Sequence, residues 1–488
     1  MSTNAWRVLV VFGASMQFLA TTGSVYNYNV FFVDLQEEFR ESAVFTGWVG
    51  SLCSALYCCA APLGAVIGSK IGNVRVLFAG LILESAGFLF TSFIPSLAFG
   101  YLTFGFVAGL GSGLVIFAAG SLMLEWYSGR GSCCRASGVV MIGGSVGVMT
   151  FGPLLNTLNA AWGWRNSLRF LSVTVLSLGT VGALPFFKSP ENHPKRSVPS
   201  TEERGPDGLK RCAEDGMETS SLVHADTVAD PQVVICRDPK GVNVGISSRE
   251  TMKSLVLNVE AWLFIASSTF AQFGWSFVII NFRSFMEGIK LPTWQVSLTL
   301  MVVGAGELGG KLLFAACGDR LPCLKLYVIA ATSVCGAVAS GFQTICTTFQ
   351  HMVILSVVWG IARGGIYAAC FPAGDELFKV YSSRVVTSVV LTGFGIGDLI
   401  GSSVTGALYE LTGDYRLGLF VLVISFALSS ASMLLIPASR KIRWHRRVRL
   451  GKTDDNDEKT EAETTVCEKV KPMVRSVGTS NPELYFQQ

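Results

Sequence analysis

Runs of roughly 20 or more apolar residues recur along nearly the whole chain, each long enough to cross about 30 Å of hydrocarbon as a helix. They fall at residues 6–32, 45–68, 74–93, 97–124, 136–160, 167–187, 261–285, 294–317, 324–345, 352–378, 385–409 and 417–436, which predicts twelve membrane-spanning helices. Six precede a long polar stretch and six follow it. The spacing therefore predicts an all-α membrane protein of two six-helix bundles, 1–188 and 256–438, with a linker at 189–255 and a tail at 439–488. Between Ser189 and Lys253 the chain is rich in Pro, Glu, Asp, Ser and Arg with few aromatics, too little apolar surface to fold alone. Two bundles joined in this way are the layout of a carrier that rocks between the two faces of a membrane.

Composition agrees with this pattern. Of 488 residues, 50% are hydrophobic and only 15% charged, and the mean hydropathy of +0.48 leaves hydrocarbon as the natural solvent. Lys70 and Arg75, Arg130 and Arg135, Arg320 and Lys325, and Lys379 and Arg384 lie in alternate loops, on the side of the linker and the basic run from Arg440 to Arg449. Cytoplasmic loops carry the Lys and Arg excess, so both termini are expected in the cytosol. The opposite loops are short or acidic, as at Asp34-Leu35-Gln36-Glu37-Glu38-Phe39. This bias accounts for the net charge of +4. No basic stripe interleaved with aromatics points to nucleic acid, and the run at Arg440 is expected to meet anionic lipid. The first apolar run is too long for a cleavable signal and lacks a small-residue cleavage site. The 13 cysteines show no metal-ligand spacing and read as small buried hydrophobes, so no metal or cofactor is expected. The final Asn481-Pro-Glu-Leu-Tyr-Phe-Gln-Gln resembles a protease-site remnant left by cloning.

Against this background the charges inside spans stand out. Glu307 and Lys311 are four residues apart and share one helical face. Each such group costs about 2.5–3.5 kcal/mol on insertion scales, so these residues usually line a substrate or proton pathway; the alternative is a pair that merely neutralises itself. Arg363 is flanked by Gly360, Gly364 and Gly365, which leave room for it to hold a carboxylate in two hydrogen bonds, or to close the cavity by pairing with Glu307 or Asp398. Asp398 is expected to face the cavity and Arg283 the outer mouth, while Glu84 and Arg169 read as a packing pair or as interface residues. Asn27, Tyr28, Asn29 and Asn281 are candidate polar contacts, each equally readable as a satisfied structural hydrogen bond. Glycine recurs at every fourth position at Gly105, Gly109 and Gly113, at Gly143 and Gly147, and at Gly393, Gly397 and Gly401. That spacing lets helix backbones approach closely, and its recurrence in the fifth and eleventh spans is what two halves of a repeat would show.

The order of motifs through Trp126-Tyr-Ser-Gly-Arg-Gly, Ala136-Ser-Gly138, Met141-Ile-Gly-Gly-Ser-Val-Gly147, Phe151-Gly-Pro-Leu-Leu155 and Gly163-Trp164-Arg165-Asn-Ser167 resembles the fifth-helix region of monocarboxylate transporters in the major facilitator superfamily. Thr46-Gly-Trp48-Val-Gly-Ser51, Leu102-Thr103 with Gly109-Leu-Gly111, and Gly413-Asp-Tyr-Arg416 extend the likeness over all the spans, though not over linker or tail. The resemblance implies a major facilitator fold that works by alternating access. It implies a loop latch holding one conformation, matched by Gly318-Asp319-Arg320, whereas Gly68-Ser-Lys70-Ile-Gly72 lacks the acid. The family's eighth helix carries an aspartate and, four residues on, an arginine that handle the proton and the substrate carboxylate; Glu307 and Lys311 stand there. Lysine offers a point charge in place of a two-pronged fork. The proton-accepting lysine of the family's first helix falls on Tyr26, counted back from Val30-Phe31-Phe32, and a phenol does not cycle a proton near neutrality. Arg363 stands close to where the family places an aromatic residue that limits substrate size.

The resemblance thus implies a secondary transporter of a small organic anion, a monocarboxylate such as lactate or pyruvate, with a proton as the candidate coupling ion. Lys311, Arg363, Tyr26, Asn27 and Asn281 would form the substrate site, Glu307 and Asp398 the proton-coupling groups, and Lys70, Asp319 and Arg320 the latch. The rival within this class is facilitative carriage of an amino acid or aromatic acid without a proton, which Tyr26 favours. A membrane sensor that binds without translocating stands further off, and no nucleophile, base and orienting group recur at an enzyme's spacing. The resemblance also implies the plasma membrane as location and a single-span accessory glycoprotein as a candidate partner.

Overall fold

The structure is a computed structural model that describes residues 3–129, 131–187, 258–280, 282–345, 348–379, 381–412 and 417–440. The linker at 189–255, the tail beyond Arg440 and Asn281 lie outside the described residues.

In hydrocarbon no water can satisfy a backbone N–H or C=O, so each apolar run must pair its own, and the helix does this within one segment. The helices are α1 (Thr3–Val25), α2 (Asn29–Phe39), α3 (Ala43–Cys59), α4 (Ala61–Ile71), α5 (Asn73–Thr91) and α6 (Leu97–Gly100). A π-helical stretch (Tyr101–Ala108) leads into α7 (Gly109–Tyr127) and α8 (Cys133–Ala183). After the linker come α9 (Val259–Ile280), α10 (Phe282–Gly288), α11 (Thr293–Cys317), α12 (Lys325–Gln343), α13 (Phe349–Leu377) and α14 (Ser383–Thr412), then α15 (Leu417–Arg440). Nine of the described helical segments are long and apolar enough to cross a membrane, ten if the bent pair α3–α4 counts as one span. α8, 51 residues long, would reach roughly 75 Å at 1.5 Å per residue, more than twice the hydrocarbon thickness. It is two crossings joined at Gly163, whose φ of 74° and ψ of 162° break the helix. With α9, 22 residues long, the layout is that of a twelve-span chain.

One sequence expectation is corrected at the first outer turn. The acidic stretch Asp34–Phe39, read as a loop, is helical and belongs to α2. The break comes earlier, in a turn at Tyr26–Tyr28. Asn159 Nδ2 donates to Asp34 at 2.6 Å, and Trp164 and Arg165 donate to Glu38, so the acids are anchored by donors from α8.

Glycine sets how closely the helices meet. A Cβ added at Gly147 would lie 2.1 Å from the Leu19 carbonyl oxygen and one at Gly143 2.2 Å from that of Ser15, so α1 and the fifth-span part of α8 touch backbone to backbone. In the second half, Gly393 and Gly397 of α14 meet the backbone of α9 in the same way. Seryl contacts repeat too: Ser85 with Ser172 in the first half, Ser267 and Ser333 with Ser429 in the second. α7 is buried along almost its whole length at the centre of the first half, while large apolar side chains such as Phe12, Ile82, Val173 and Ile354 point outward, as lipid-facing positions do. Cys53, Cys58, Cys133, Cys134 and Cys370 are buried as expected, but Cys317, Cys323 and Cys335 are exposed.

Gly147→Ala is expected to force α1 and α8 apart or strain them, costing about 1–3 kcal/mol as overpacking typically does. A fluorescence-detected thermal melt in detergent checks this against Gly131→Ala, where nothing lies within 4 Å of the added atom. Equal midpoints would show that the close approach is not needed.

Candidate functional site

The two halves meet around a cavity of about 220 Å³, lined from the first half by Phe18, Thr22, Tyr26 and Tyr57 and from the second by Glu307, Lys311, Arg363 and Tyr367, among others. At about 30 Å³ per water this is space for on the order of seven waters, the scale of a small organic molecule.

Its charged wall rests on α11 and α13. The four-residue spacing on α11 places Lys311 Nζ 2.5 Å from Glu307 Oε1. Arg363 Nη1 of α13 reaches Glu307 Oε2 at 3.2 Å. The side chains are only 6%, 13% and 15% exposed for Lys311, Glu307 and Arg363, so all three charges are largely withdrawn from water. One carboxylate thus serves two cations, which leaves the cluster a net positive charge. Glycine makes this possible: a Cβ at Gly360 or Gly364 would fall within 2.4 Å of α11 backbone oxygens, so α13 carries Arg363 against the helix that bears Glu307.

Aromatic rings hold the guanidinium from its other side. Arg363 Cζ lies 3.5 Å from the Trp275 ring centroid and 5.0 Å from that of Tyr367, and such contacts are worth about 0.5–2 kcal/mol each depending on desolvation. Tyr367 donates to Gln272 Oε1 at 2.6 Å, and Gln272 Nε2 donates to Asp398 Oδ1 at 2.6 Å. Asp398, expected to face the cavity, is not among its lining residues and is tied to it through this hydrogen-bonded chain. From the first half, Ser145 of α8 donates to Glu307 at 3.2 Å and accepts from Lys311 Nζ at 2.7 Å. Ser145, Trp275, Tyr367 and Gln272 were not singled out in the sequence. The signals were there for two of them: Tyr367 lies four residues after Arg363 on the same face, and Ser145 interrupts a glycine-rich stretch.

The remaining candidates divide. Tyr26 lines the cavity and meets the Tyr57 ring edge-on at 5.7 Å. Asn27 does not contact the cavity; its Nδ2 donates to the carbonyls of Gly23 and Val148, tying the end of α1 to α8. Tyr28 is likewise structural, donating to the Thr46 carbonyl at 2.7 Å, and Asn29 is exposed. Asn281 and the side chain of Arg283 fall outside what is described. Arg169 and Glu84 are not a pair: Arg169 bonds Ser92 and Asn166 and covers the Phe93 ring, whereas Glu84 is fully buried. Arg440, expected against lipid, bonds Glu260 and the Leu377 carbonyl.

The residues expected to form a latch divide as well. Asp319 accepts from the backbone N–H groups of Cys134 and Arg135 at 2.9 and 3.2 Å, at the N-terminus of α8, where the helix favours negative charge. Asp375, at the end of α13, accepts from Ser128 Oγ at 2.5 Å and from Gly129 N–H at 3.0 Å. Lys70 and Arg320 are exposed. In the first half, Asn73 donates to Glu125, which also accepts from Ser383 of the second half. Among the described residues, the hydrogen bonds between the halves run from Ser145 toward the linker-side ends, so this conformation is closed on the linker side.

The Major Facilitator Superfamily model matches residues 12–342. The chain therefore belongs to the major facilitator superfamily, as a multi-pass integral membrane transporter. It is 22% identical to human monocarboxylate transporter 14 over 476 residues, covering 91% of this chain and 92% of the relative. It is 25% identical to monocarboxylate transporter 12-B of Danio rerio over 458 residues, covering 88% and 86%. Among solved structures, it resembles the major facilitator transporter FucP in the outward conformation, with a TM-score of 0.60 at 13% identity over 88% of this chain and 98% of that one. The proton:xylose symporter XylE gives a TM-score of 0.60 at 12% identity, covering 89% and 95%. These two likenesses establish the fold.

Removing the acids that cap the linker-side contacts in Asp319→Asn with Asp375→Asn is expected to loosen closure. Charge-assisted bonds of about 1.5–3 kcal/mol each predict at least a tenfold faster maleimide modification of Cys133 and Cys134, now 7% and 3% exposed. Mass spectrometry assigns the modified sites, and an unchanged rate would show that neither acid holds this side closed.

Proposed function

We propose that the protein carries a small organic anion, a monocarboxylate such as lactate or pyruvate, across the membrane by alternating access between its two halves. The observation that carries this reading is the pairing of two cations with one carboxylate in the cavity. A substrate carboxylate completes the charge balance, accepting from Lys311 and, in two-pronged fashion, from Arg363. Both termini are taken to lie in the cytosol, which makes the linker-side closure an outward-facing state. Proton coupling then requires a carboxyl group whose charge changes during the cycle. Glu307 serves if the arriving anion draws its two cations away, because a carboxylate left alone in so apolar a cavity takes up a proton rather than stay charged.

The aromatic lining favours one variant of this reading. Phe18, Tyr26, Tyr57, Tyr367, Phe371 and Phe394 surround the charged wall, a surface suited to an aromatic acid or amino acid carried without a proton. Tyr26, where the related carriers hold a lysine, points the same way.

Radiolabelled lactate and pyruvate uptake into proteoliposomes tests the reading, with and without an inward proton gradient. Arg363→Ala and Lys311→Ala, present in the membrane at wild-type amounts, are each expected to lose at least about tenfold in uptake, from roughly 1.5–3 kcal/mol per charge-assisted bond. Wild-type rates in both variants would remove the charged wall from the substrate site. Uptake of an aromatic acid in place of lactate and pyruvate would select the variant reading.

A further inference from the structure

Glu84 has no part in the cavity wall and no cationic partner. It sits midway along α5 with no exposed surface, and no ion pair reaches it among the described residues. Among the described residues its two oxygens meet only hydroxyl groups of α1: Thr21 Oγ1 lies 3.1 Å from Oε2, and Ser24 Oγ lies 3.1 Å from Oε1. The titratable groups facing it are Cys53 and Tyr57 of α3, neither of them cationic. From α7 the backbone of Gly111 packs against Glu84, so close that a Cβ there would lie 2.3 Å from the Glu84 nitrogen. A buried carboxylate served by two neutral donors is costly to keep ionised.

Proton counting points the same way. Ser24 Oγ also lies 2.9 Å from the Thr21 carbonyl oxygen, which can only accept. The hydroxyl has one proton for two oxygens. If the carbonyl takes it, the contact with Glu84 survives only when the carboxyl carries a proton of its own and donates to Ser24. Packing does not demand the acid. In the second half the same relation between neighbouring helices is made by Thr332 of α12 against Gly365 of α13, where a Cβ would lie 2.8 Å from the threonine methyl. The residue that follows each, Ser85 or Ser333, makes the equivalent seryl contact. The repeat thus manages with a neutral residue where the first half carries an acid.

We propose that Glu84 is a proton-binding site of the carrier, a neutral carboxylic acid in this conformation that loses its proton to water on one face of the membrane and regains it on the other. The idea rests on the reading of the chain as a proton-coupled carrier, but it assigns the proton to a group other than Glu307. Its link to the cavity is α1 itself. Thr21 and Ser24 hold the acid on one face, while Thr22 and Tyr26 line the cavity on another, and Thr22 Oγ1 shares a hydrogen bond of 2.8 Å with the Tyr57 hydroxyl. Ionised, Glu84 would draw both hydroxyl protons and turn Ser24 away from the Thr21 carbonyl, one residue before α1 ends.

Infrared difference spectroscopy of the purified full chain reads the proton directly. At neutral pH a carboxylic-acid C=O band is expected in the wild type and in Glu307→Gln, lost in Glu84→Gln and shifted in Ser24→Ala. A spectrum without the band, or one that Glu84→Gln leaves unchanged, overturns the proposal. In proteoliposomes, the ratio of lactate uptake with and without an inward proton gradient is expected to fall to about one in Glu84→Gln, while exchange of internal for external lactate at equal pH persists. A gradient effect that survives in Glu84→Gln, or is missing from the wild type, also overturns it. If the wild type carries no lactate at all, the substrate reading fails and the infrared experiment alone decides the role of Glu84.

Discussion

Hydrocarbon tolerates neither an unpaired backbone group nor an isolated charge, and nearly every feature of this molecule answers to one of those two demands. The first makes each apolar run a helix and makes glycine the means by which helices touch. The second gathers Glu307, Lys311 and Arg363 from two helices into one cluster, since each charge is tolerable only beside the others. Arg363 is held further by Trp275 and Tyr367, which offer the faces of their rings where water would otherwise solvate a guanidinium.

The halves are alike in scaffold and unlike in chemistry. Gly143 and Gly147 press α8 against α1 as Gly393 and Gly397 press α14 against α9. Asp319 and Asp375 both end second-half helices and both accept from first-half backbone at the linker side. The cationic groups of the cavity, however, all come from the second half, and the first half contributes Ser145, aromatic rings and, behind α1, the buried Glu84. A duplicated frame has thus been given a charged wall on one side and a mostly neutral one on the other.

Much of this could be read from the sequence, because hydropathy and intramembrane charge are local properties. The spans and the Glu307–Lys311 face follow from spacing along a single helix, while Arg363 stands out through its flanking glycines and the resemblance. What could not be read depended on contacts between helices distant in sequence. Nothing in the chain announces that Gln272 stands between Tyr367 and Asp398, that Ser145 reaches Glu307 from the other half, or that Asn73 donates to Glu125. The acidic run before Phe39 misled for a related reason. Charge suggested a loop, but donors from Asn159, Trp164 and Arg165 satisfy those acids on a helix. Asn27 and Tyr28 misled in the opposite sense, since backbone carbonyls claim their donors at the turn that ends α1.

Ser145 is bound to Glu307 and Lys311 at once, and it is the point nearest the cavity at which hydrogen bonds join the two halves. In the proposed cycle an anion arriving at Lys311 has to compete with that serine for the ammonium protons. Occupying the site and untying the halves would then be one event, and the free energy of binding would be drawn directly into lowering the barrier between the two orientations. On that proposed reading the carrier would return slowly when empty and turn over quickly when loaded, and would swap one solute molecule for another more readily than move a single one downhill.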